Sequence, residues 1–190
     1  MPTLRSLLIA ALLLALGAVL PVPRAVYAAG VVGSGTPASC TEADLAAKLS
    51  GGGSIIFDCG PNPVTIAITS EKLISADTTL DGGGTITLHG NGSTRILRSI
   101  NGTFNGTTVL KVINVTIMGL AIENGVTSDQ GGAIKVGFWN NFTLKNSALR
   151  DNRAAKDDEN CAGGGAIFIG GGSTARIEGS VFSGNQANNG

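Results

Sequence analysis

Apolar residues recur at matching offsets in two stretches of this chain, Ile117 to Val136 and Leu144 to Ile169, and a third stretch begins at Ile177 and Phe182. Ile117 and Ile122, Leu144 and Leu149, and Ile177 and Phe182 each stand five apart, while Ile134/Val136 and Ile167/Ile169 stand two apart. From Ile134 to Leu144 and from Ile167 to Ile177 the step is ten. Only one segment changes: Ile122 to Ile134 takes twelve residues and Leu149 to Ile167 takes eighteen. A pattern that keeps its apolar spacing while one segment gains six residues is a stack of equivalent coils with an insertion on a projecting turn, because six residues added within a strand would displace everything after it. The spacing predicts an all-β solenoid with coils of 27 residues, or 33 with the insertion.

Upstream, the chain reads as short strands between polar turns: Ile55 to Asp58, Val64 to Thr69, Lys72 to Ile74, Thr78 to Leu80, Thr85 to Leu88, Val109 to Ile113 and Val115 to Ile117. Asp81-Gly82-Gly83-Gly84 and Asn91-Gly92-Ser93 separate the runs, and helical periodicity is absent. An antiparallel sandwich also has short strands at such intervals, but it does not predict the repeated offsets. One helix is expected. Thr41-Glu42-Ala43-Asp44 matches a capping box and Gly51-Gly52-Gly53 stops the helix after Leu49, placing it where it would cover the open end of the first coil. Gly30 to Ala38 reads as a flexible linker, so residues 29–53 form a linker and cap and residues 54–190 the stack. Gln186 to Gly190 stands where the next glycine pair is expected, so the sequence reads as truncated.

Residues 1–28 are set apart from the fold. Arg5 gives a positive start, Leu7 to Leu20 is an apolar run and Val26-Tyr27-Ala28 offers a cleavage site, which together read as a secretory signal. Pro21, Pro23 and Arg24 end the run before the roughly 20 residues of a membrane span. The mature chain then has no membrane span and is secreted or held at the cell surface, where association with the envelope is open to it.

Charge excludes one class of partner. Lys plus Arg and Asp plus Glu number 13 each, and no basic stripe with interleaved aromatics marks a nucleic-acid binder. Aromatic content of 4% against 29 glycines disfavours a helical bundle and a surface of aromatic platforms. Of three cysteines in an oxidising compartment, Cys40 and Cys59 bracket the helix and first strand and are candidates for a disulfide fastening the cap. Cys161 is left as a free thiol or the partner of a residue outside this sequence. Zinc is disfavoured, since no second cysteine lies two to four positions away and the one histidine, His89, is remote.

Gly131-Gly132-Ala133-Ile134 and Gly164-Gly165-Ala166-Ile167 resemble the GGAI element, and Phe182-Ser183-Gly184-Asn185 the FxxN element, of polymorphic outer membrane protein repeats. Leu149-Arg150-Asp151-Asn152 is a looser FxxN match. With the capped start and Thr79-Leu80-Asp81-Gly82-Gly83-Gly84, residues 40 to 190 are similar to secreted bacterial proteins of the pectin-lyase-like class, which implies a right-handed parallel β-helix. The short motifs agree physically. Paired glycines let the backbone bend tightly where a side chain would clash, and Asn152 and Asn185, each three residues after an apolar anchor, can stack at a turn and take up backbone groups left unpaired there. The preceding coil has Gly125 at that position and Asn124 one residue early, so its ladder is expected to be weaker.

The scaffold hosts lyases, hydrolases and surface proteins alike, so activity must be read from a site. Asp151, Asp157, Asp158 and Glu159 are the densest acidic group and the candidates for calcium, although Arg150, Arg153 and Lys156 among them read as a solvated, mixed-charge loop. No other cofactor is implied. Asp77 and Asp81 fall on one strand face, and Arg95 and Arg98 near His89 suggest a polyanion subsite, yet a turn and a surface are the simpler readings. No GxSxG, HExxH or Cys/His nucleophile pattern occurs. Across equivalent positions Lys135 matches Phe168 and Lys145 matches Glu178, so no charge stacks in this part of the chain. The expectation is a structural or adhesion module that binds extended polysaccharide or a surface protein. The alternative is a lyase or hydrolase of acidic polysaccharides such as pectate.

Overall fold

A computed structural model describes residues 30–155 and 163–187. Gly30–Val32 (β1) precedes helix α1 (Glu42–Leu49), and then come Gly53–Phe57 (β2), Val64–Ala67 (β3), Lys72–Ile74 (β4), Thr78–His89 (β5), Leu97–Ser99 (β6), Thr103–Phe104 (β7) and Val109–Lys111 (β8). The remaining strands are Asn114–Glu123 (β9), Val126–Thr127 (β10), Ile134–Val136 (β11), Asn141–Lys145 (β12), Ala148–Arg150 (β13), Arg153–Ala154 (β14), Ile167–Ile169 (β15), Thr174–Glu178 (β16), Val181–Ser183 (β17) and Gln186–Ala187 (β18). The fold is all-β with parallel sheets. The largest runs β1-β2-β5-β9-β12-β16, with β3 on the second half of β5, β13 on the second half of β9 and β17 on β13; β4-β6-β11-β15 and β10-β14-β18 form two further sheets.

Register follows the apolar spacing. Leu144 pairs with Ile117 and Ile177, Leu149 with Ile122 and Phe182, and Ile134 with Ile167. The same columns continue upstream through Leu80 and Ile55, and through Leu88 and Ile66. Because successive side chains point to opposite faces, these alternate positions all turn inward. Ile55, Leu80, Ile117 and Leu144 are buried opposite Ile74, Leu97, Ile134 and Val136 of the second sheet, in one continuous core. Each such side chain contributes about 1.5–3 kcal/mol relative to exposure. On the outermost strands the columns end in Ile177 and Phe182, exposed at 49% and 43%.

Three upstream expectations are corrected. The stretch read as a linker from Gly30 contains a strand: β1 pairs with β2 and Val32 is fully buried, because two β-branched valines suit a ladder and side chains anchor the turn that follows. The Gly33 N–H donates to Asp44 Oδ2 (2.8 Å) and the Ser34 N–H to Ser39 Oγ (2.8 Å). Thr78–Leu80 and Thr85–Leu88 belong to one strand, β5, whose register shifts between Asp81 and Ile86; the glycines form a bulge rather than a break. Finally, Val109–Ile113 does not join the stack as a parallel strand. β8 folds back on β7 as an antiparallel hairpin, the one antiparallel pair among the described residues.

Helix α1 packs Leu45 and Leu49 into the core. Of the capping box, one half forms: the Asp44 N–H donates to Thr41 Oγ1 (3.1 Å), while the Asp44 carboxylate turns to Gly33. A disulfide joins Cys40 to Cys59 across a sequence separation of 19, a closure that stabilises by about 3 kcal/mol through the unfolded chain. Glu42 ties the helix to the sheets, accepting from Thr69 N–H (2.9 Å), Thr69 Oγ1 (2.7 Å) and Ser70 N–H (3.1 Å) and pairing with buried Lys72 (2.6 Å). Partial burial opposes its ionisation, but the hydrogen bonds from Lys72, Thr69 and Ser70 outweigh that and hold its pKa at about 2 against an ordinary 4.5. The stability this gives is fully present above about pH 4.5 and is lost as pH falls towards 2. Glu42→Gln should therefore cost about 1–2 kcal/mol in urea denaturation at neutral pH, with the difference from wild type closing as acid is added; a difference independent of pH would disprove the ionic role.

Candidate functional site

The turns between strands carry three columns of polar side chains that face inward. Buried Asn152 accepts the Gly125 N–H at Oδ1 (2.8 Å), and its amide donates to the Ile122 carbonyl (3.0 Å) and to Asn185 Oδ1 (2.9 Å); Asn185 in turn donates to the Leu149 carbonyl (2.9 Å). Gly125 has no side chain to carry the column on to the repeat before it, so the column stops there, with the Gly125 N–H taken up by Asn152. Two further columns escaped the sequence reading. Asn140 accepts the Ile113 N–H (3.0 Å) and its own N–H donates to Ser173 Oγ (2.9 Å), while Ser147 Oγ accepts the Leu120 N–H (3.3 Å) and the Ser147 N–H donates to Ser180 Oγ (3.2 Å). The signal was present, since these pairs lie 33 residues apart like Asn152 and Asn185.

The glycine pairs sit at another turn. Gly131 and Gly164 adopt φ of 73° and 42°, where a Cβ would overlap the carbonyls of Ile134 and Ile167 respectively. At Gly132 a Cβ would overlap the Gly165 carbonyl and at Gly165 the Gln186 backbone, so here it is the close approach of neighbouring strands that requires glycine.

Charged side chains gather on the β4-β6-β11-β15 sheet. Buried Arg95 donates to Glu71 (2.5 Å), Asp129 (2.9 Å), Thr127 Oγ1 (3.1 Å) and the Gly131 carbonyl (3.0 Å). Glu71 also takes Arg98 (2.5 Å), and Asp129 takes Lys135. Burial works against Asp129, yet Lys135, the Gln130 N–H and Arg95 keep its pKa down at about 2. Arg98 stands in register with Lys135, a stacked pair of cations that comparison of the later repeats alone did not disclose. Lys135 also lies 5.6 Å from the Phe168 ring centroid. Arg95 and Arg98 thus share a carboxylate, but His89 belongs to a different ladder, bonded to Asn91 (2.9 Å) and Asn124 (3.0 Å).

Of the carboxylates singled out from the sequence, Asp77 and Asp81 are engaged separately. Asp77 accepts the Asn114 N–H (2.9 Å) and amide (3.0 Å), and the chain of bonds continues from Asn141 to Asn114 (3.0 Å) and from Thr174 to Asn141 (2.7 Å). Asp81 accepts the Gly83 N–H within its bulge (2.9 Å), and Asp151 occupies a left-handed turn at φ 53°. Asp157, Asp158, Glu159 and Cys161 lie outside the described residues, as does the segment 1–28. Among the described residues no group of three or more His, Cys, Asp or Glu is placed to hold a metal ion, and no helix is long and apolar enough to cross a membrane.

Two surface features remain. A groove of about 380 Å³ crosses β5, β9 and the turns at Asn146 and Gly179. Thr87, Ala121, Ala148 and Val181 stand in register along it, and the Arg150–Glu123 ion pair (2.7 Å) borders it. Secondly, although composition disfavoured aromatic platforms, the fold gathers three rings: Phe104 stacks on Trp139 at 5.0 Å and Phe138 lies against Trp139 at 5.7 Å. Compared with known proteins, the chain matches no family model, no curated protein and no solved structure.

Removing the Asn152 side chain would leave the buried Gly125 N–H without its acceptor, so Asn152→Ala should cost about 2 kcal/mol in urea denaturation, against about 1 kcal/mol for the half-buried Asn185→Ala. Equal losses would show that burial of the bonded groups is not what sets the cost.

Proposed function

We propose that this chain is a right-handed parallel β-helix of the pectin-lyase-like class with polymorphic outer membrane protein-type repeats, secreted or displayed at the cell surface, where it acts as a structural or adhesion module. The parallel registers and the repeat lengths of 27 and 33 residues support the architecture. The signal-like residues 1–28 and the Cys40–Cys59 disulfide support passage through an oxidising compartment.

One observation carries the functional reading: the groove that crosses successive repeats. Its central positions are small or uncharged, and they recur along the direction in which repeats stack. A linear polymer laid along that direction meets an equivalent surface at each repeat. Neighbouring strands in a sheet lie about 4.8 Å apart, so an extended glycan or peptide strand presents its own periodic groups on a comparable scale. Binding then draws on many modest contacts rather than on one deep pocket.

Ala148 lies centrally in the groove, half-buried between Ala121 and Val181. Ala148→Trp should fill the groove and leave the inward columns in place. On affinity gels containing cellulose, xylan or polygalacturonate, the wild-type chain should be retarded by at least one polymer and Ala148→Trp should lose that retardation by roughly tenfold or more in apparent Kd, about 1.4 kcal/mol. Equal retardation of both proteins, or of neither, would overturn the reading. So would release of unsaturated uronide when the chain is incubated with pectate and calcium.

A further inference from the structure

We propose that the corner formed by Phe104, Phe138 and Trp139 is a second binding site, one that takes the uncharged pyranose rings of a glycan. The proposal rests on the reading of the chain as a glycan-binding module, but on residues that the groove does not share.

The first observation is an energetic cost that the turn itself does not impose. Trp139 has φ 53°, a region that bulky side chains rarely enter and that costs stability when they do. The turn does require a left-handed residue. One repeat later the equivalent residue is Gly172, at φ 71°, which meets the requirement without strain. Glycine would therefore serve at 139 as well, yet the chain places its one tryptophan there. Gly172 makes room for that choice, since a Cβ on it would overlap the indole ring. Strain accepted at one position and space cleared at the next point to the indole itself as the selected feature.

The second observation is exposure. Phe104 and Phe138 flank the indole with interplanar angles of 25° and 45°, and each is 40% exposed. The Trp139 indole N–H has no acceptor among the described residues. Asn101, bonded to the Phe138 backbone, and Asn105, next to Phe104 in the chain, have amide nitrogens with no acceptor among the described residues. Asn101 Oδ1 accepts the Phe138 N–H (3.1 Å), and Asn105 Oδ1 accepts the N–H groups of Thr107 (3.0 Å) and Thr108 (2.7 Å). Their amide N–H groups remain as donors.

Charge selects among occupants. From Asn101 to Val112 the sole charged residue is Lys111, and the cations of the neighbouring sheet, Arg98 and Lys135, are paired with Glu71 and Asp129. A uronate or phosphate would find no cluster of opposite charge here. A neutral pyranose fits both parts of the surface: its C–H face lies on an aromatic ring, and the hydroxyls at its edge accept from amide and indole N–H donors.

With a single tryptophan in the 190-residue chain, indole emission reports on this corner alone. The full chain would be titrated with cellohexaose, laminarihexaose and mannohexaose, with hexagalacturonate and the apolar dye anilinonaphthalene sulfonate as comparators. At least one neutral hexaose should give a saturable change, and Phe138→Ala should weaken it tenfold or more. Trp139→Gly, followed by calorimetry, should abolish binding while its thermal midpoint stays level or rises as the strain is relieved. Ala148→Trp should leave this signal unchanged, which separates failure of the corner from failure of the groove. The proposal falls if no neutral hexaose saturates, if only hexagalacturonate or the dye does, or if Trp139→Gly lowers the thermal midpoint while Phe138→Ala binds as wild type does, since the rings would then merely fasten the hairpin.

Discussion

A parallel ladder that turns a corner must abandon backbone hydrogen bonds there, and the groups released sit beside an apolar interior that offers them nothing. Each unpaired amide or carbonyl costs about 1–3 kcal/mol, so a chain with a turn between every pair of short strands would not fold without a remedy. The remedy here is side chains that belong to one repeat and bond the backbone of the adjacent one: Asn140, Ser147 and Asn152 reach Ile113, Leu120 and Gly125. Among the described residues no buried side-chain nitrogen or oxygen lacks a partner. The apolar columns supply the drive to stack, but these polar contacts fix where each turn falls and hence which residues the outer surface presents.

Much of this arrangement was legible in the order of residues, and the limits are physical. Ile117, Leu144 and Ile177 could be aligned because burial of one face tolerates only aliphatic side chains at fixed intervals, and the pairing of these residues follows that alignment. Asn152 and Asn185 were conspicuous because each follows an apolar anchor at the same distance. Ser147 and Ser180 were not, since a serine at a turn is too common to stand out without the repeat as a guide. The run Val109 to Ile113 shows the converse limit: β-branched residues favour a strand but do not state its direction, and the antiparallel hairpin depends on the turn at Asn105 to Thr108. Asp77 was noticed for its carboxylate, whereas its partners at Asn114, Asn141 and Thr174 make it one member of an external chain of bonds.

The outer surface was harder to read than the interior for a related reason. Interior positions answer to a single demand, the exclusion of water, and so repeat. Exterior positions are free to differ from one repeat to the next, and their meaning arises only when folding brings distant residues together, as with Phe104 and Trp139 or Glu71 and Arg95. A low aromatic content described the average of the chain and concealed a local concentration.

The left-handed turns carry a further consequence. Asn146 and Gly179, and likewise Asp151 and Gly184, occupy successive levels of the same turns, and a Cβ on either glycine would collide with the side-chain oxygen below it. At these two steps the side chain of one repeat takes the space that a Cβ on the next would need, whereas Asn124 and Asp151, both left-handed at φ 53° in the same turn, show that two side chains can also follow one another. Lengthening the stack by repeating the level of Asn146 or Asp151 in place of Gly179 or Gly184 would set a Cβ against that oxygen, so a copy survives there only if the side chain beneath it turns aside.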